Sequence, residues 1–108
     1  MGLTPLTYQI LLALADEDRH GYGIIKEIEA REGDGAGPST GALYLALQRM
    51  EADGLVEAGD PPGAGEDARR RYYRLTRSGR ALAEEESERL AARVAAARAK
   101  RLLAGGPA

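Results

Sequence analysis

Nine residues, Gly59–Asp67, hold two prolines and three glycines, and this run most narrows what the chain can become. Proline removes a backbone donor and glycine leaves the backbone loose, so neither a helix nor a strand interior can pass through it. Leu55-Val56 precede it and Arg71-Tyr72-Tyr73-Arg74-Leu75 follow it. Both flanks favour β-structure, the second through its central tyrosines. Two short strands about a turn make a β-hairpin, and everything around that hairpin reads as helix. The expected class is therefore mainly α with a small β-hairpin.

Before the hairpin, apolar residues recur at helical spacing in three segments. Leu6, Ile10, Leu11 and Leu14 mark a helix over 4–15, with Thr4 as N-cap and Pro5 in the first turn. Tyr22, Ile24, Ile25 and Ile28 mark a second over 21–32, which ends before the glycine-rich stretch Gly33–Pro38. Leu43, Leu47 and Met50 mark a third over 40–53, capped by Ser39 and stopped by Gly54. After the hairpin, Thr76 caps a long helix over 77–104, rich in Ala, Leu, Glu and Arg. At 1.5 Å per residue that helix is about 40 Å long, more than a small domain needs to cover itself.

Helix, helix, helix and hairpin in this order describe a winged helix-turn-helix, with the third helix as the one that enters a major groove. The expected division is a DNA-binding domain over 1–76, a dimerisation helix over 77–104 and a flexible tail over 105–108. The chain has 108 residues and no Phe, Trp or Cys, so its core falls to Leu, Ile, Ala, Val, Met and Tyr. A domain of this size buries only about 60–70% of its unfolded surface, and pairing with a second copy would add to its stability. Without cysteine there are no disulfides and no thiolate metal sites. No apolar run approaches the ~20 residues of a membrane span. No basic region followed by an apolar stretch opens the chain, so a cytoplasmic location is the default expectation.

The net charge of −2 argues against a nucleic-acid partner until its distribution is considered. From Arg69 to Arg80 there are six arginines and no acid, while acids crowd Asp16–Asp18, Glu51–Asp53 and Glu84–Glu88. One concentrated basic patch holds phosphate whatever the sum. Arg69, Arg70 and Arg71 fall on the wing beside the reading helix. In a strand, Arg71 and Tyr73 share one face and Tyr72 and Arg74 the other, so they cannot all reach DNA together. Arg74 is free instead to hold the acids of another helix. Arg77 and Arg80 sit where the helix dipole disfavours cations, a mild sign of a role beyond stability.

On the third helix, Ser39, Thr40 and Gly41 offer a small, polar start at which backbone N–H groups can meet phosphate. Tyr44, Gln48 and Arg49 are its larger polar side chains, while Leu43, Leu47 and Met50 face the core. Tyr44 has two readings, a core aromatic or a groove contact; the apolar stripe already accounts for the buried face and favours the second. Tyr22 can pack under the turn while its hydroxyl meets phosphate. His20, the single histidine, is read as a helix cap or backbone partner, since one His without Cys makes a poor metal site. Gly21 and Gly23 lack the spacing and the following Lys-Ser/Thr of a phosphate loop and are read as permitting a tight helix start. Leu82, Leu90, Val94, Ala97 and Leu102 form the dimerisation stripe of the long helix, with Ala91, Ala95 and Ala96 beside it and helix 4–15 joining the interface.

Three blocks carry a family resemblance. They are His20-Gly21-Tyr22-Gly23-Ile24; Ser39-Thr40-Gly41-Ala42-Leu43-Tyr44, continuing through Leu47 to Met50-Glu51-Ala52-Asp53-Gly54-Leu55-Val56; and Arg71-Tyr72-Tyr73-Arg74-Leu75-Thr76-Arg77-Ser78-Gly79-Arg80. In order and spacing the chain resembles the PadR family of bacterial transcriptional regulators in its short form, over about residues 3–95. Ala42 stands where that family usually has Thr, and Leu45 where Pro often follows the Tyr. The resemblance implies a dimeric winged-helix repressor that binds double-stranded DNA and pairs through its C-terminal helix. No cofactor is expected. A small-molecule effector held between subunits remains open, although no Trp or Phe is present to line a flat aromatic pocket. A winged helix serving protein partners alone is disfavoured by the arginine cluster. Enzymatic activity is disfavoured because no nucleophile is paired with a base.

Overall fold

A computed structural model describes residues 3–61 and 70–104. The elements in order are α1 (Pro5–Ala13), β1 (Arg19–His20), α2 (Gly21–Glu32), α3 (Thr40–Ala52), β2 (Val56–Ala58), β3 (Tyr72–Leu75) and α4 (Arg77–Ala99). The mainly helical class with a small β-sheet is as expected. The expected tail 105–108 and wing residue Arg69 lie outside the described residues.

Among the described residues, each of the four α-helices begins on a side-chain cap. Thr4 accepts the N–H of Thr7, His20 Nδ1 that of Gly23, Ser39 Oγ that of Ala42 and Thr76 Oγ1 that of Gly79, each at 3.0–3.1 Å. These acceptors satisfy amides that the first turn leaves without an intrahelical partner. His20 thus caps α2, as read from the sequence.

The core forms where the apolar faces of α1, α2 and α3 meet β3 and the start of α4. Ile10, Leu11, Ile24, Leu43, Leu47, Met50 and Val56 are its largest fully enclosed side chains. Tyr73 and Ala83 close it from the sheet and from α4. Gly79 brings α4 against the turn before β2. A Cβ there would lie 3.0 Å from the Leu55 carbonyl carbon and nearer still to its oxygen.

The sheet has the order β1-β3-β2, all antiparallel, with Arg19 opposite Tyr73, His20 opposite Tyr72, and Val56, Glu57 and Ala58 opposite Leu75, Arg74 and Tyr73. The hairpin pairing was expected, but the third strand was not. Two residues carry no periodicity, and β1 exists only because β3 offers it a free edge. Arg74 is also placed differently. It pairs across the sheet with Glu57 at 3.1 Å and with Asp60 at 3.5 Å, so its acids come from the neighbouring strand and loop, not from a helix.

The helix ends explain a second difference. Gly54, at φ 75°, closes α3, and the N–H groups of Gly54 and Leu55 turn back to the carbonyls of Glu51 and Met50. That is the Schellman pattern expected of a glycine stop. The same pattern closes α4 at Ala99, five residues before the expected end. Arg101 adopts φ 63°, and the N–H groups of Arg101 and Leu102 return to Arg98 and Ala97. Leu102 therefore lies beyond the helix and off the stripe assigned to it. Two arginines close α1: Arg19 Nε donates to the Ala13 carbonyl and Arg80 Nη2 to the Ala15 carbonyl, both at 2.7 Å. Arg80 thus has a structural task at the carbonyl end of α1, where the dipole favours a cation.

Candidate nucleic-acid interface

Tyr44 is the point on which the candidate residues converge. It leaves the exposed side of α3, and its ring leans on the backbone of α2. A Cβ on buried Gly21 would fall 2.6 Å from the Tyr44 ring carbon Cζ. Gly21 is therefore glycine because the tyrosine ring occupies the place of a side chain. This is more specific than the tight helix start read from the sequence, and it ties the reading helix to the helix before it. The remaining ring surface is open, leaving Tyr44 44% exposed.

Two adjoining recesses flank the ring. On one side Gly41, Gln48, Glu51 and Arg71 surround it. On the other are His20, Gly21, Tyr22, Arg70 and Arg71. Six of the expected DNA-contacting residues, Tyr22, Gly41, Tyr44, Gln48, Arg70 and Arg71, are thus brought together from α2, α3 and the approach to β3. Ser39 and Thr40 sit exposed at the start of α3. The N–H groups of Thr40 and Gly41 have no carbonyl a turn behind them to bond, which leaves them facing outward. Arg49 is exposed but follows Gln48 by about 100° around the helix and lines neither recess.

Arg70 and Arg71 are held, not loose. Arg70 Nη1 lies 3.0 Å from His20 Nε2. Arg71 forms an ion pair with Glu51 on α3, and its guanidinium lies 5.2 Å from the centre of the Tyr73 ring. The Tyr73 hydroxyl is pushed above its ordinary pKa, first by burial, with Glu51 and Tyr44 adding to the rise and Arg71 opposing it. Tyr22 is 57% exposed, and Lys26 Nζ stands 5.3 Å from its ring centre. The Lys26 ammonium is held above its ordinary pKa chiefly by Tyr22 and then by Glu29. Sequence reading missed Lys26. A lone lysine four residues after a tyrosine on a helix gives no signal until the helix is known to border a cationic surface. Among the described residues no cluster of His, Asp or Glu can hold a metal ion, and no helix is long and apolar enough to cross a membrane.

The chain is 43% identical over 82 residues to an uncharacterized 37.1 kDa protein encoded in transposon TN4556 of Streptomyces fradiae, a match spanning 76% of this chain and 22% of that protein. It is 38% identical over 81 residues to the transcriptional regulator Rv3488 of Mycobacterium tuberculosis, spanning 75% of this chain and 71% of the relative. In three dimensions it is similar to a PadR family transcription regulator of Clostridium difficile, with a TM-score of 0.73 at 25% identity over 88% of this chain and 96% of the other. The model of the transcriptional regulator PadR-like family matches residues 10–85, from α1 into the third turn of α4 and across the whole surface around Tyr44. This chain belongs to the PadR-like family of transcriptional regulators.

Proposed function

We propose that this protein is a repressor that binds a palindromic operator as a homodimer. In this reading α3 lies in the major groove and Arg70 and Arg71, with the adjoining Arg69, hold the flanking backbone. The observation that carries it is the convergence of Tyr22, Gly41, Tyr44, Gln48, Arg70 and Arg71 around one exposed ring. Such a surface offers both kinds of contact an operator needs. The arginines and the free amides at the start of α3 suit phosphate, and Gln48 suits a base edge.

Residues 1–76 would serve DNA and the long helix would serve the dimer. At about 1.5 Å per residue, α4 is about 35 Å long, and it extends a molecule measuring 52 × 29 × 25 Å. Residues 91–96 are exposed all round, and Val94 lies among them. Leu82, Leu90 and Ala97 are half-buried on the same helix. A second copy packed along Leu82, Leu90, Val94 and Ala97, with α1 alongside, would cover this surface. Leu102 would join from the turn that follows. Two reading helices would then meet successive major grooves about 34 Å apart.

Fluorescence anisotropy with the protein's own promoter, titrated with salt, tests the reading. If about eight phosphates are neutralised per dimer, log affinity falls against log salt with a slope near −7. Arg70→Ala removes one contact from each protomer, so it weakens binding to all duplexes and makes the slope shallower by about two, whereas Thr40→Ala or Gln48→Ala shifts sequence preference. Absence of salt-sensitive binding refutes the proposal. Transcription from that promoter in vitro decides the sign: a repressor lowers it.

A further inference from the structure

The exposed side of α3 carries one large aliphatic side chain, Leu45. Its neighbours along the same stripe are Gly41, four residues before, and Gln48, three after, which places all three on one face. The buried stripe of Leu43, Leu47 and Met50 lies on the opposite side. Leu45 is 60% exposed and is not among the apolar residues packed against the core. A single exposed leucine is ordinary on a protein surface. Its position here is not, because it stands in the wall of the recess between Gln48 and the Tyr44 ring, within a surface otherwise polar or aromatic.

Resting on the operator-binding reading above, we propose that Leu45 is a specificity-determining residue that reads the C5-methyl group of a thymine. The major groove presents one apolar feature, and it is that methyl group; the rest are donors and acceptors. Gln48, one turn along, has the donor and acceptor pair that suits adenine N6 and N7. Residues three apart on a helix have Cβ atoms about 5–6 Å apart, within the reach of one base pair or the next. Leu45 and Gln48 together are therefore matched to an A·T pair, the leucine taking the thymine and the glutamine the adenine. Gly41 on the same exposed stripe adds no side chain to that face, so the helix can come close enough for a leucine to touch the groove floor.

The test uses the full chain and a duplex it selects from a random pool, with each thymine replaced in turn by deoxyuridine, which lacks only the methyl. Wild-type protein is expected to lose about fourfold in affinity per half-site at one symmetric position, the worth of one buried methyl. Leu45→Ala is expected to lose a similar factor on the thymine duplex and to become insensitive to deoxyuridine there. Its thermal unfolding should match wild type, because Leu45 does not pack on the core. Salt-sensitive binding with no sensitive thymine overturns the role of Leu45 and leaves operator binding standing, as does equal sensitivity in wild type and Leu45→Ala. Failure of the wild-type protein to bind any duplex overturns both.

Discussion

Replacing Gly41 by alanine adds one methyl group to the first turn of α3, and intramolecular packing and DNA approach respond to it in opposite directions. Within the chain the change is free: no heavy atom lies within 4 Å of the new Cβ, and Gly41 is not among the glycines with positive φ. Restricting the unfolded chain at such a site stabilises by about 0.4–1 kcal/mol. At about 4–8 °C per kcal/mol for a domain of this size, the melting temperature should rise by about 2–8 °C. In the proposed complex the same methyl would stand where the helix backbone approaches DNA. Overfilling a close contact costs about 1–3 kcal/mol, or roughly five- to 150-fold in affinity. Circular dichroism melts and anisotropy titrations at one protomer concentration measure the two effects side by side, the fixed concentration mattering because a dimer's melting point depends on it. A lower melting temperature would refute the packing at Gly41. Affinity unchanged in the stabilised variant would refute close approach of this turn to DNA.

Gly79→Ala should do the reverse to stability, because its methyl meets the Leu55 carbonyl, which already accepts the Thr76 N–H at 3.1 Å. Helix propensity gains up to about 1 kcal/mol, and overpacking with a displaced hydrogen bond outweighs it to leave a net loss of about 1–3 kcal/mol; a melting point at or above wild type contradicts this. Glu51→Gln removes the acid that holds Arg71 and a negative charge beside the recess. An exposed pair of this kind is worth about 0–1 kcal/mol, so affinity for any duplex should rise by up to about fivefold per protomer, and weaker binding would count against Arg71 as a phosphate contact. Tyr73 has its folded pKa raised above 10.0, so its contribution is intact below pH 10 and is lost as pH climbs through the folded value. Urea melts between pH 8 and 11 should therefore show a smaller decline in Tyr73→Phe than in wild type; equal declines would refute the assignment.

The helices of this chain can be read from its residues because their causes are local. Thr4, Ser39 and Thr76 bond amides three residues on, Gly54 supplies the left-handed residue that closes α3, and the Leu43, Leu47, Met50 stripe alone separates the buried side of α3 from the open one. The family blocks are legible for a related reason: they record positions that local rules leave unexplained, such as Gly21 and Gly79. What those positions are for depends on partners far along the chain. Gly21 answers to Tyr44, Gly79 to Leu55, Arg80 to the end of α1 and Arg71 to Glu51, and none of these pairings leaves a periodic trace. The strand Arg19–His20 is two residues long and exists through the edge of β3. The end of α4 leaves no such mark in the sequence, because Arg101, not a glycine, takes the left-handed conformation there. Local bonding chose the elements and their caps, whereas long-range contact chose which exposed side chains share one surface, because bringing them together requires the whole core to close first.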